Sequence, residues 1–153
     1  MPSALKTARI TNNQPAPSAD QNGVIAVRAE YSLTAALALN DTIDFAKVPA
    51  GHIPVDVILD SDDVDTGGSP AAVFQVGLRA ANGTTDDPDA FIKDSNVGQA
   101  GGVARANVVT AFRIAPHTAD RNVYLTVSTA PATGATSGKI GVTVLYRPAY
   151  RGE

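Results

Sequence analysis

The chain has 153 residues, a net charge of −3 and no cysteine. This length fits one domain, and the lack of thiols excludes disulfides, thiolate metal sites and cysteine nucleophiles. The mild acidity argues against a nucleic-acid partner, because such proteins carry a basic stripe. No apolar stretch approaches the ~20 residues that a membrane-spanning helix needs, so we predict no membrane contact.

The N-terminal residues 1–22 differ from the rest of the chain. They include the proline-containing run QPAPSADQNG and show no sustained hydrophobic period. Proline fixes φ and removes a backbone donor, which suits an extended segment. We therefore predict an extended N-terminal arm over 1–22 and one domain over 23–153. The arm is either a frayed terminus or a segment that lies on a neighbouring molecule, with Leu5 and Ile10 as anchors.

From residue 23 onward, apolar and polar residues alternate in several short runs. This period of two is typical of half-buried β-strands. The runs are separated by turn signals rich in Gly, Pro and Asn. The predicted strands are Gly23–Tyr31, Thr42–Val48, Ile53–Asp60, Ala72–Ala80, Asn122–Ala130 and Gly138–Arg147.

Three further segments are less regular. Val108–Ile114 is rich in β-formers, which favours a strand over a short helix, and a short strand is expected near Ala90–Lys93. The remainder of 82–106 reads as a long loop that projects from one end of the domain. About eight short strands without intervening helices predict an all-β, two-sheet antiparallel sandwich with an N-terminal arm. The jelly roll is the leading topology, and a generic sandwich or a small barrel remains open.

The acidic loop Asp60–Asp65 invites a calcium hypothesis, because clustered carboxylates can supply the oxygen ligands of that ion. The EF-hand order is not met, since Val64 stands where a third oxygen ligand belongs. The alternative is a solvated turn whose Asp side chains accept hydrogen bonds from their own backbone. We favour the turn and predict no metal site and no cofactor. The second acidic cluster, within 86–94, has the same ambiguity.

The two histidines, His52 and His117, give no sign of catalysis. Neither stands in a metal-ligand spacing, and no nucleophile elbow or phosphate-binding loop occurs. The absence of tryptophan weakens a sugar-binding site and a base-stacking site. We therefore predict a protein that is not an enzyme and has no catalytic residue.

Several residues are candidates for contacts with partner proteins. Some are apolar but lie on the strand side opposite the predicted core, which is typical of an interface. Others form the basic and aromatic C-terminus, which is either a solvated tail or an anchor on an acidic partner, since Arg and Tyr are enriched in hot spots. With the two arm residues, the predicted partner interface comprises Leu5, Ile10, Ile58, Val73, Leu145, Arg147, Tyr150 and Arg151.

Four segments resemble a known family: NDTIDFAKVPAGHIPVDVILDSDDVDTG, PAAVFQVGL, DDPDAFIKDSNVGQAGG and VYLTVSTAPATGATSGKIGVTVLYR. Together, over Val24–Arg147, they resemble the small virion structural proteins of tailed bacteriophages, in particular capsid decoration, or cement, proteins. The resemblance implies a jelly-roll module on the outer surface of the phage capsid. It also implies the major capsid protein as partner, a homotrimer, and stabilisation of the expanded shell.

Two other functions remain open at this point. A sandwich with long end loops also suits a carbohydrate-binding or host-adhesion module of a phage tail or fibre. A hydrolase with a carboxylate pair assembled in space from the two acidic clusters is a third, weaker hypothesis.

Overall fold

The computed structural model describes residues 4–6, 23–81 and 86–149. These residues form β-strands and two short 3₁₀ helices, Val97–Gln99 and Val109–Arg113, and they contain no α-helix. Within them, no helix has the length and hydropathy that crossing a bilayer requires. The strands are β1 Ala4–Lys6, β2 Ile25–Ser32, β3 Thr42–Val48, β4 His52–Ser61, β5 Val73–Ala80, β6 Asp86–Ser95, β7 Gly102–Arg105, β8 Arg121–Thr129 and β9 Lys139–Pro148.

The strands pair as one long hairpin that has been rolled up. From the β5–β6 pair outward, β4 pairs with β7, β3 with β8 and β2 with β9, all antiparallel. Rolling brings β4 beside β9 and β5 beside β8. The result is a sheet in the order β1-β3-β8-β5-β6 facing a sheet in the order β2-β9-β4-β7. This is the jelly roll, so the predicted fold class is confirmed.

The core lies between the two sheets and is made by alternate residues of the strands that the sequence pattern predicted. Large side chains that are fully or almost fully buried come from both sheets, as in Phe45, Phe74, Phe91 and Leu59. Each such side chain contributes about 1.5–3 kcal/mol relative to exposure. The inward set therefore fixes which face of each strand is left for other contacts.

The N-terminal strand β1 was not predicted. It pairs in parallel with β3, and Ala4 lies opposite Thr42 at the edge of the five-stranded sheet. The rest of the predicted arm, 1–3 and 7–22, lies outside the described residues.

The predicted short strand near Ala90–Lys93 is confirmed, since it lies within β6, but the prediction of a long loop over the remainder of 82–106 is wrong in much of its length, because β6 is longer than predicted and β7 follows it. The register between β5 and β6 shifts twice, which breaks the alternation that marks a strand in sequence. The predicted strand Val108–Ile114 is also wrong. A 3₁₀ helix, Val109–Arg113, takes its place, and Ala111 is the only buried residue of that helix.

Gly77 makes the irregular packing of β6 possible. A Cβ atom at this position would lie 2.6 Å from the Cα of Pro88 and would overlap the carbonyl oxygen of Asp87. We expect Gly77→Ala to displace β6 and to lower the free energy of unfolding by about 1–3 kcal/mol. Urea denaturation measures this loss. Gly68→Ala is the matched control, since its Cβ would meet nothing within 4 Å, and equal stability losses in the two variants would contradict the packing argument.

Candidate functional site

The loops of the sandwich meet at its two ends. At one end, the backbone N–H of Gly51 donates to the carbonyl of His117 at 2.9 Å, and the N–H of Ala81 donates to the carbonyl of Asp120 at 3.2 Å. These bonds join the β3–β4, β5–β6 and β7–β8 connections, and we call this end the β7–β8 end. At the other end, Asp65 forms a bridge with Gly134, which joins the β4–β5 and β8–β9 connections; this is the β4–β5 end.

An exposed apolar patch lies in the chain segment that includes β7 and the following 3₁₀ helix. Val109 and Phe112, which are 66% and 62% exposed, form this patch at one shallow groove, and Val103 in β7 is a third exposed apolar side chain of the segment, at 66%. A single exposed apolar side chain is normal on a protein surface, whereas neighbouring ones at one groove are typical of a contact site. The β-former composition of this segment, which suggested a strand, therefore reflects a surface rather than a core.

The connection beneath this patch is held by both sheets. The N–H of Ala106 donates to the carbonyl of Val57 in β4, and the N–H of Asn107 donates to the carbonyl of Phe91 in β6, both at 3.0 Å. The side chain of Asn107 also bonds both backbone groups of Lys93, at 2.9 and 3.0 Å. Because the supporting backbone is fixed before any partner arrives, little ordering entropy would be lost on binding.

The outer face of the four-stranded sheet carries a charged network. Arg28 bonds Asp60 at 2.6 Å and Glu30 at 3.0 Å, and Lys139 bonds Glu30 at 2.7 Å. The hydrogen bond to Asp60 raises the pKa of Arg28, and the contacts with Lys139 and then Arg28 lower the pKa of Glu30. Arg28 reaches Asp60 across β9 because Gly141 lies between them, and a Cβ there would stand 2.5 Å from the guanidinium.

Two residues of the predicted partner interface lie among these charges. Ile58 in β4 stands between Thr143 and Arg105 in register, and Leu145 in β9 stands opposite Asp56. Both are half-buried. Arg105 forms an ion pair with Asp56 beside them. The face thus has apolar side chains with charged pairs around them.

The remaining predicted interface residues are placed as follows. Leu5 lies in β1, at the position opposite Ile43, and Val73 begins β5 and is half-buried. Arg147 is half-buried in β9, and its guanidinium donates to the carbonyl of Pro148 at 3.0 Å. Ile10, Tyr150 and Arg151 lie outside the described residues. The five described residues are divided between the two sheets, so they do not share one sheet face.

The acidic loop uses its carboxylates to hold the β4–β5 end together. The carboxylate of Asp65, which is 1% exposed, accepts four backbone N–H groups. They belong to Ala71 (2.6 Å), Ala72 (2.9 Å), Ala132 (3.0 Å) and Thr133 (2.8 Å). Burial alone raises the pKa of this carboxyl, but the four donors outweigh burial and lower the pKa of Asp65 from 3.8 to about 2.

The neighbouring carboxylates are also engaged. Asp62 accepts the N–H of Lys139 at 2.9 Å, and Asp63 accepts the N–H of Asp65 at 3.0 Å. This arrangement matches the turn that the sequence favoured over a calcium loop. Among the described residues, no group of three or more His, Asp or Glu side chains is arranged to hold a metal ion.

The histidines are engaged in local contacts. The ring of His52 packs edge-on against Tyr146 with centroids 5.5 Å apart, and its Nδ1 lies 2.9 Å from the carbonyl oxygen of Ala50. Nδ1 of His117 lies 3.0 Å from the backbone nitrogen and 3.2 Å from the carbonyl oxygen of Ala119. These contacts shape the turns at the β7–β8 end.

Comparisons with known proteins identify structures that are similar to this jelly roll. No protein-family model and no curated protein sequence matches the chain. Among solved structures, it is similar to a chain in the capsid of Ralstonia phage GP4, with 34% identity and a TM-score of 0.87 over 97% of this chain and 99% of that one. It is also similar to a chain in the capsid asymmetric unit of cyanophage Pam1, with 26% identity and a TM-score of 0.70 over 90% and 96% of the two chains. With its jelly-roll fold and near-complete alignment to these capsid components, the chain belongs to a family of phage capsid proteins, which are structural components of the virion.

Proposed function

We propose that this protein is a capsid decoration, or cement, protein. It is a non-enzymatic subunit that binds the outer surface of a phage head, contacts the major capsid protein and stabilises the capsid lattice. The observation that carries this proposal is the exposed apolar patch of Val109 and Phe112, with Val103 exposed in the same segment, on a member of a phage capsid family. A surface of this kind is costly to leave in water and gains free energy when a partner covers it.

Phe112 is the expected centre of the contact with the major capsid protein. Large apolar side chains near the middle of an interface, surrounded by groups that exclude water, supply most of its binding energy. A shallow groove lined by Val108, Val109 and Phe112 gives a partner side chain a place to insert. The hydrogen bonds that fix the backbone below favour this surface over one that must first become ordered.

The homotrimer is the second element of the proposal. Its contact surface would be the outer face of the four-stranded sheet, where Ile58 and Leu145 are surrounded by ion pairs. An apolar centre with a charged rim is the usual composition of a protein–protein interface. A stable contact of this kind buries about 1,600 Å² in total, and the outer face of the four-stranded sheet would supply the surface for it.

The termini would extend the attachment beyond the sandwich. In this proposal, Leu5 and Ile10 of the arm contribute apolar contacts, and Tyr150 and Arg151 contribute an aromatic and basic anchor. Val73 at the start of β5 and Arg147 near the end of β9 are the remaining members of this proposed interface. The carboxylates of Asp62, Asp63 and Asp65 support the structural role, since each accepts hydrogen bonds from the chain itself.

The experiment that tests this function compares heads with and without the protein. We expect heads that lack it to release DNA at a lower temperature, and added protein to restore the original temperature. A ligand at ~100 times its Kd stabilises each site that it occupies by about 3 kcal/mol, and a lattice offers many such sites. A fluorescent DNA-binding dye measures the release. Heads that bind the protein fully but release DNA at an unchanged temperature would contradict the stabilising role.

A further inference from the structure

A cavity of about 260 Å³ opens at the β7–β8 end of the sandwich, away from the β4–β5 end that Asp65 closes. Its floor is apolar and includes the buried side chains of Leu78 and Ala90, together with the half-buried Ile114. An apolar cavity of about 150 Å³ is large enough to hold a benzene ring. We call this space the Arg121 cavity, after the cationic side chain in its wall.

Arg121 is the unusual member of this wall. It begins β8, and strand alternation puts it on the same side of the sheet as the core residue Val123. One guanidinium nitrogen, Nη2, donates to the carbonyl of His52 at 3.2 Å. Among the described residues, its buried Nε has no hydrogen-bond partner, and no carboxylate lies within ion-pair distance of its guanidinium. Burial lowers the pKa of Arg121, as expected for a cation without a counter-charge.

Arg79 also lines the cavity, and it provides a comparison because its guanidinium has an ion-pair partner. Its Nε and Nη2 both bond Asp44, at 3.0 and 2.7 Å. Its guanidinium also lies 4.4 Å from the ring centroid of Tyr124. Its charge is therefore balanced within the chain, whereas that of Arg121 is not. A half-buried charge without a counter-charge is unfavourable, and a carboxylate matches the planar fork of a guanidinium with two parallel hydrogen bonds.

We propose that the Arg121 cavity binds a carboxylate carried on a short apolar stem, with the carboxylate on Arg121 and the stem against Leu78, Ala90 and Ile114. His117 supplies a second donor at the wall. Its Nδ1 contacts both backbone groups of Ala119, so Nε2 is the ring nitrogen that would donate to the ligand. The ligand is either a free small acid or the terminal carboxylate of a protein chain. This inference does not depend on the proposed capsid function.

Asp87 provides a test of the charge preference of the site. It is exposed and lines the same cavity, so its negative charge opposes a bound carboxylate. The partial desolvation of its carboxyl group, followed by the charge of Asp89, raises the pKa of Asp87. Removing this charge with Asp87→Asn should tighten the binding of a carboxylate and leave the binding of a neutral ligand unchanged.

The first experiment titrates the ¹⁵N-labelled full chain with benzoate and, as the neutral counterpart, with benzyl alcohol. We expect benzoate to shift amide signals around the cavity with a Kd of about 1 mM. Benzyl alcohol should bind at least tenfold more weakly, because it cannot form the charged hydrogen bond with Arg121. Arg121→Gln should weaken benzoate binding at least about tenfold. Ala80→Leu, which fills the cavity without removing a charged group, should abolish benzoate binding. Arg113→Gln, a charge removal on the exposed 3₁₀ helix, should bind benzoate with the same Kd as the original protein.

The second experiment identifies the source of the carboxylate. It compares a short peptide that ends in phenylalanine with a free carboxylate and the same peptide with a C-terminal amide. Binding of the free form alone identifies a protein chain end as the ligand, and binding of benzoate without either peptide identifies a small acid. The proposal is overturned if benzoate causes no shifts up to about 10 mM, if benzyl alcohol binds equally well, or if folded Arg121→Gln and Ala80→Leu bind benzoate unchanged.

Discussion

Replacing Phe112 by Asp should detach the protein from phage heads without unfolding it. Phe112 is 62% exposed, so its substitution removes no core contact. In the proposed complex, the same side chain is covered by the major capsid protein, and the new carboxylate would be buried without a partner. Loss of a central aromatic residue costs about 2–4 kcal/mol of binding free energy, which raises Kd about 30- to 1,000-fold. Co-sedimentation with heads that lack the protein measures this change.

Leu39→Asp is the matched control for this experiment. Leu39 is 51% exposed, and it lies in the β2–β3 connection rather than in the exposed apolar patch. The same chemical change at a similar exposure should therefore leave the affinity for heads within about twofold, since surface substitutions outside contacts act weakly. Thermal unfolding of both variants should match the original protein. Equal binding by Phe112→Asp and the original protein would remove the patch from the interface.

The exposed apolar patch shows what the sequence could not predict. Val109 and Phe112 are β-formers, and their composition is the same whether the segment is a buried strand or an exposed helical turn. What decides between the two is where the preceding backbone bonds, and Ala106 and Asn107 bond strands that are distant in sequence. Exposure is a tertiary property here, so local composition gave the wrong element and concealed the candidate site.

The strands were predictable where one face is buried and the other is not. In β8 and β9, alternation is regular, and the predicted ranges overlap almost all of the observed ones. In β6, the register shifts opposite β5, and the segment packs on a backbone position, Gly77, that carries no side chain. Such packing leaves no period in the sequence. The fold class therefore followed from the regular strands, and the irregular edge of each sheet did not.

The acidic loop is an intermediate case. Asp side chains that satisfy backbone groups within their own turn are a local feature and were predicted. The donors on Ala132 and Thr133, however, lie 67 and 68 residues from Asp65. The sequence thus predicted the type of interaction but not its partner, and it did not reveal that one carboxylate joins two loops.

Replacing Asp65 by Ala should destabilise the β4–β5 end more than any other single change in the acidic loop. The substitution leaves four backbone N–H groups in buried or partly buried positions without an acceptor. Unsatisfied donors of this kind are costly, and we expect the thermal midpoint to fall by about 10 °C. Asp63→Ala is the matched control, because this exposed neighbour accepts a single N–H group. Calorimetry of the two variants should separate them, and equal midpoints would contradict the role of Asp65.

The charge of Asp65 also predicts a dependence on pH. Its pKa is lowered in the folded state, from 3.8 to about 2, so its contribution to stability is complete above the pKa of the unfolded chain. As pH falls from about 5 to 2, the unfolded chain takes up a proton before the folded protein does, and the contribution is lost. Asp65→Asn cannot titrate, so its stability should differ from that of the original protein most at pH 7 and least at pH 2. Urea unfolding across this range measures the difference, and a gap that stays constant with pH would show that the four hydrogen bonds do not depend on the charge.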